Sequence, residues 1–426
     1  MQHSTKQFIT GPETAGILKM KMLNWASRFS IHLFLDSNNY ASPLGRYELM
    51  LAAGVAEGAT ARTLDEVAAL HQQHKSWLFG HLGYDHKNEL FSKLSTSHPQ
   101  GDFPSLYFFV PQTICTLSAD KCALTITSVE DPDAIYAQLM AAPPTIDIAL
   151  PRLSFSKLFS RQEYIDAVTT LRNHIKEGDC YEINFCNKGY CDDADIAPLS
   201  VYHALTQLSA APFAAYYRLH DQYMMCASPE RYLRKAHNKV LSQPIKGTAR
   251  RAADKTEDDA IKQLLSNDIK ERAENVMIVD LVRNDLAMSC EPGSVTVDEL
   301  FGIYSYPQVH QMISTVSGTL LPGKPITEAI RHSFPMGSMT GAPKYKVMQL
   351  IDRYERAARG LFSGSVGYIK PDGDFDLNVV IRSLFYDASK QQLHYQAGGA
   401  ITYDSVAEQE WDEMCLKAWA LERIFS

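Results

Sequence analysis

The sequence predicts an α+β chain built on antiparallel sheet. Runs with strand-like alternation arrive in clusters, helical stretches arrive singly between them, and no regular strand–helix alternation of the βαβ kind runs through the chain. Residues 1–150 are the less regular part. Short apolar runs at 31–35 and 106–110 are separated by turn-rich stretches such as 95–102, where Ser, Pro and Gly gather. The stretch 141–151 holds Pro143, Pro144 and Pro151 and reads as a connection between an N-terminal subdomain, 1–150, and a second domain, 151–426. Ser160 with Glu163 then forms a capping box that opens an amphipathic helix reaching Lys176, and Gly178 ends it. A strand follows at 181–190, with further strand-like runs at 214–219, 223–227, 232–241, 364–370, 377–386 and 393–397. Long helices are predicted at 256–287, 343–359 and 404–424.

The 426 residues are 45% hydrophobic and 21% charged, with a net charge of -8, which suits an ordinary globular chain with ample core. No strong basic block occurs, so nucleic acid is not the expected partner. The eight cysteines include no CxxC pair and read as reduced thiols. The N-terminus MQHSTKQFIT lacks an apolar core, and no run has the length a membrane span needs. The expected location is therefore cytoplasmic, with no membrane partner.

Two helices carry glutamate pairs at i, i+3: Glu271 with Glu274, and Glu410 with Glu413. That spacing puts both carboxylates of a pair on one face, and four facing carboxylates would repel unless a divalent cation lay between them. Oxygen-only ligands suit Mg²⁺. The alternative is two solvated helix faces. The apolar run at 276–281 favours burial of the first pair, and buried carboxylates need a partner.

The segment 334–344 (FPMGSMTGAPK) leads into a helix with Pro343 in its first turn, and small residues there let backbone N–H groups reach an anion. A tight loop is the plainer reading. Gly398 and Gly399 end a strand where a ligand could approach the backbone. Lys246, in PIKGT at 244–248, lies between apolar and small residues, which would lower its pKa and make it a usable nucleophile; Glu230, in SPER, supplies an acid. The alternative is an exposed loop lysine.

Taken in order, eight blocks resemble the chorismate-utilising enzymes: GDCYEIN at 178–184, SPER at 228–231, PIKGT at 244–248, ERAENVMIVDLVRNDL at 271–286, Val309-His310 with Val316-Ser317-Gly318, GSMTGAPK at 337–344, Ile381-Arg382, and 410–417. The resemblance covers about 155–424 and implies a fold of two large antiparallel β-sheets packed as a sandwich with helices outside, the second domain being the chorismate-binding one. It implies Mg²⁺ held by Glu274 and Glu413, with Glu271 and Glu410 around it. The ring carboxylate would lie at Thr340, Gly341 and Ala342, and the enolpyruvyl carboxylate at Arg382 beside Gly398 and Gly399. Lys417 would face the anion and His310 the ring.

Lys246 of PIKGT resembles the aminodeoxychorismate synthases, where anthranilate synthases look like PIAGT. The implied reaction is amination of chorismate to 4-amino-4-deoxychorismate, toward 4-aminobenzoate and folate. Lys246 would attack C2 while Glu230 protonates the departing 4-hydroxyl, and ammonia would then add at C4 and expel the lysine. No G-x-C-x-G elbow occurs, so the resemblance implies a separate glutamine amidotransferase subunit. Anthranilate synthase component I is the alternative activity, and a non-catalytic chorismate-binding paralogue is a further one. Two positions depart from the family: Glu182 stands where ammonia-using members carry Gln, and Phe362 where several relatives have Tyr.

Overall fold

The computed structural model describes residues 3–40, 44, 45, 47–99, 101, 103–306 and 309–426; Gln100 and Asp102 of the expected 95–102 loop lie outside them. The strands form one continuous antiparallel network with two arms. In the first arm, neighbouring strands are Ser4–Ile9, Ala123–Ser128, Leu106–Ser118, Tyr47–Ala61, Ile31–Asp36, Phe213–Leu219, Gln222–Ser228, Ser383–Asp387, Gln392–Ile401 and Glu182–Cys191. The second arm leaves the start of Leu106–Ser118 through Leu78–Leu82. It continues with Ser365–Ile369, Phe375–Asn378, Arg231–Ala236, Lys239–Gln243 and Val309–Thr319, and Val309–Thr319 also pairs with Ile245–Arg250 and Thr296–Ser305.

Two cores follow from side-chain alternation. In Gln222–Ser228, Met224 and Cys226 point into the core between the arms, with Leu33 and Tyr217 from the first arm and Leu233, Val366 and Leu377 from the second. Met225 and Ala227 point the other way, into a core covered by helices that contribute Leu23, Trp25, Tyr164, Leu171 and Leu421. A strand buried on both faces reads as an unbroken apolar run, and each large side chain so buried contributes about 1.5–3 kcal/mol. This is the sandwich with outer helices that the sequence led us to expect.

Three predicted elements are broken, each for a local reason. The 256–287 helix is two helices, Lys255–Asn267 and Ile269–Ala287, because Asp268 caps the second, its carboxylate accepting from Glu271 N at 2.9 Å. The 232–241 run is a hairpin that turns at His237 (φ 55°), and 377–386 is interrupted by a turn containing Arg382 at φ 53°. The helix beginning at Lys344 stops at Tyr354. Four helices of ten residues or more gave no expectation from sequence: Ala15–Ala26, Leu64–His74, Pro132–Ala141 and Pro198–Leu208. All eight cysteines are free, and no described helix is long and apolar enough to cross a membrane.

Candidate active site

The glutamate pairs come from Ile269–Ala287 and Ala407–Arg423. Glu274 and Glu410 are buried, whereas Glu271 and Glu413 are partly exposed. The first helix is buried on one face rather than all round, with Val276 exposed and Ile278 and Val279 inside beside Glu274 and Asn275. Burial, helped by Glu182 and Glu271, pushes Glu274 up to about 7 against the pull of Lys246. Burial followed by the charge of Glu413 raises Glu271, and burial raises Glu410. For Glu413, burial is outweighed by Lys417, 2.6 Å away, and the net shift is downward.

Three lysines stand among these carboxylates. Lys270 is 3.8 Å from both Glu274 and Glu410, bridging the two helices; Lys417 also donates to Gly398 O at 2.9 Å; Lys246 is 3.9 Å from Glu274. The residues fit a hard divalent cation. Every donor is oxygen, Glu410 Oε2 is buried without a hydrogen-bond partner, and a Cβ built on Gly399 would lie 3.2 Å from Glu410 Oε2 and 3.4 Å from Glu413 Oε1, so a carboxylate oxygen from each member of this pair faces the same glycine.

Lys246 does not sit in an apolar pocket that lowers its pKa. Burial acts in that direction, but Glu182 at 2.7 Å and Glu274 outweigh it, and the ammonium is held well above the usual lysine range. The expectation of a depressed lysine is thereby corrected. Glu182, 1% exposed, supplies the partner from a distant strand, and its second oxygen, Oε2, has no hydrogen-bond partner. Glu230 is also buried, and burial raises it to about 7 although Ser338 donates to it at 2.7 Å.

The Gly-rich segment forms a tight turn, Gly337–Met339, then a two-residue strand, Gly341–Ala342, paired with Ile183 and Glu182; Pro343 caps the next helix rather than starting it. Gly341 adopts φ 139°, and a Cβ there would lie 2.0 Å from Glu182 O, so only glycine permits this approach. Thr340 is fully buried and already bonded within the loop, its N–H to Gly337 O and its hydroxyl to Met336 O. Arg382 is desolvated, which lowers its pKa, and its electrostatic neighbour is Glu413. No ion pair reaches its guanidinium among the described residues, so it can bind an incoming anion. His310 bonds to the Asp258 carboxylate (3.0 Å) and to Ser305 (2.8 Å), so both ring nitrogens are already engaged, neither with the paired glutamates.

Sequence reasoning missed Lys270, Ser338 and Arg359. Arg359 is buried, pairs with Glu355 at 2.6 Å, and donates to Met339 O at 2.6 Å and Asn184 O at 2.9 Å, bracing the Gly-rich turn against its neighbouring strand. A cavity of about 500 Å³ opens elsewhere, lined in part by Leu35, Asp36, Tyr47, Arg231 and Tyr368. It includes none of the expected site residues. The acidic cluster, where the unusual charges gather, is the better candidate for chemistry.

A family model for chorismate binding enzymes matches residues 34–423. The chain is 35% identical to the aminodeoxychorismate synthase of Streptomyces griseus, over 81% of this chain and 49% of that protein. It is 32% identical to aminodeoxychorismate synthase component 1 of Klebsiella aerogenes, over 84% and 82%. It spans 30 to 49% of the length of the first four curated relatives it matches. The crystal structure of anthranilate synthase component I from Streptococcus pneumoniae superposes with a TM-score of 0.78 at 25% identity, over 90% of this chain and 94% of that one.

Proposed function

The chain belongs to the chorismate-binding enzymes, and from that premise we propose that it aminates chorismate to 4-amino-4-deoxychorismate, with Mg²⁺ as cofactor and ammonia delivered by a glutamine amidotransferase partner. The observation that carries this reading is Lys246 among the buried carboxylates, 2.7 Å from Glu182 and 3.9 Å from Glu274, with the raised carboxyl of Glu230 nearby. The partner is supported by relatives named component 1.

Mg²⁺, when bound by Glu274 and Glu413 with Glu271 and Glu410 around it, would supply positive charge to a substrate carboxylate and favour departure of the 4-hydroxyl. Arg382 holds the enolpyruvyl carboxylate. Lys246 rests as an ammonium, so Glu182 first takes one of its protons. The free amine then attacks C2 as the ring electrons shift, the C4–O bond breaks, and Glu230 gives its proton to the leaving oxygen, releasing water. Ammonia forms the C4–N bond and the C2–N bond breaks, returning the electron pair to Lys246. One proton from the new nitrogen restores Glu230, leaving the neutral amine, and Glu182 returns its proton to Lys246, restoring the ammonium.

The test is incubation of the chain with chorismate, Mg²⁺ and ammonium salt at mildly alkaline pH, with products identified by mass and fluorescence. A product that keeps the enolpyruvyl group and exchanges one hydroxyl for an amine is expected. Free anthranilate would assign the chain to the other branch, and no product would overturn the reading.

A further inference from the structure

Ser338 occupies the middle of the Gly337–Met339 turn and is 7% exposed. Its hydroxyl donates to Glu230 Oε1 at 2.7 Å. The turn that carries it is anchored on both sides: Arg359 donates to Met339 O at 2.6 Å, and the Asn184 N–H donates to Thr340 O at 2.7 Å. Arg359 is locked by two bonds to Glu355, 2.9 Å from Nε and 2.6 Å from Nη2, so it cannot release the turn without leaving a buried charge unpaired.

Glu230 is fixed through its backbone too. Its N–H donates to Ser228 Oγ at 3.2 Å, and its carbonyl accepts from Val379 N at 3.0 Å. The groups that act on its carboxyl are the Ser338 hydroxyl, the Ile245 N–H, Lys246 on the neighbouring strand and Lys417 on the second acidic helix. Both lysines have tighter carboxylate partners of their own, Glu182 and Glu413. Ser338 is therefore the one side chain with a close hydrogen bond to this carboxyl among the described residues, and it stands on the loop expected to seat the substrate's ring carboxylate.

We infer that Ser338 is a positioning residue for proton delivery: its hydroxyl aims the Glu230 carboxyl from the anion loop and strengthens its grip as that carboxyl becomes a carboxylate. The inference rests on the proposed role of Glu230 as general acid. As the proton leaves Glu230 for the departing oxygen, negative charge grows on Oε1, and a neutral hydrogen bond becomes a charge-assisted one. The donor thus favours the transition state over the ground state, which is the condition for raising kcat.

Ser338→Ala removes the donor and keeps the backbone. Losing one hydrogen bond to a developing charge should lower kcat about 10- to 100-fold while KM for chorismate stays within about twofold. With no donor to stabilise the carboxylate, Glu230 should hold its proton to higher pH, moving the alkaline limb of kcat up by about one pH unit. Ser338→Thr should restore both. The carboxyl band of Glu230, followed by infrared difference spectroscopy against Glu230→Gln over a pH series without substrate, should shift its midpoint in the same direction. An unshifted limb and midpoint would overturn the inference. So would a parallel loss of melting temperature and Mg²⁺ binding, since that marks a structural role. If the wild type makes no product from chorismate, the functional reading fails, and the infrared titration still decides whether Ser338 governs Glu230.

Discussion

Replacing Glu230 by glutamine should leave the protein more stable and inactive at the same time. Glu230 is 5% exposed, and burial raises its carboxyl to about 7, against about 4.3 for a solvated glutamate. A gap of two to three pKa units corresponds to about 3 kcal/mol. Because the folded value lies above the unfolded one, its contribution to stability is fully present below about pH 4 and is lost as pH rises through about 7. Glutamine does not ionise, and its amide oxygen can still accept the Ser338 hydroxyl. Urea unfolding of wild type and Glu230→Gln should therefore agree to within about 1 kcal/mol near pH 5, and the variant should be about 3 kcal/mol more stable at pH 8. Amination by the variant should drop roughly 10²- to 10⁴-fold, the usual worth of a positioned acid. A variant no more stable than wild type at pH 8, or one that keeps its turnover, would refute the reasoning.

Lys246→Ala should abolish amination without producing anthranilate, which product mass would show; unchanged turnover would rule out a covalent role. Arg382→Lys replaces a planar fork by a point charge and should raise the chorismate dissociation constant roughly 10- to 100-fold by calorimetry, with Mg²⁺ binding unaffected. Gly399→Ala places a methyl 3.2 Å from Glu410 Oε2 and should weaken Mg²⁺ binding by about tenfold in titration calorimetry, with a melting temperature close to wild type. Mg²⁺ at 100 times its dissociation constant should raise stability by about 2.7 kcal/mol in the wild type, and Glu413→Gln should reduce this gain.

What could be read ahead of the structure was whatever depended on spacing along the chain. The i, i+3 glutamate pairs do share a face, the Ser160 capping box is made, and Gly341 is needed where the Gly-rich motif places it. The charge state of Lys246 was misread because its controlling partner, Glu182, is 64 residues away on a strand that does not pair with the one carrying Lys246, so only tertiary packing brings them together. The break at Asp268 was legible, since Asp268 and Glu271 have the spacing of a cap; the absence of Gly or Pro hid it. The Thr63–Glu66 capping box before Leu64–His74 was likewise readable. Ala15–Ala26 has no side-chain cap and offered no such signal. The turn at Arg382 places a non-glycine residue at positive φ, a conformation that sequence does not announce.

The pairing of Leu78–Leu82 with Ser365–Ile369 bears on how the chain is made. While a ribosome is still working, the early strand has no neighbour on that edge. Its partner emerges roughly 280 residues later, a delay of roughly 15–60 s at 5–20 residues per second. Through that interval an apolar edge with unmet N–H and C=O groups is open to any other strand nearby. This long-range pairing thus exposes the nascent chain to mispairing. We expect yield in a recombinant host to rise with slower synthesis or added chaperone, and to do so more than for a protein of equal size whose strands pair with their neighbours in sequence.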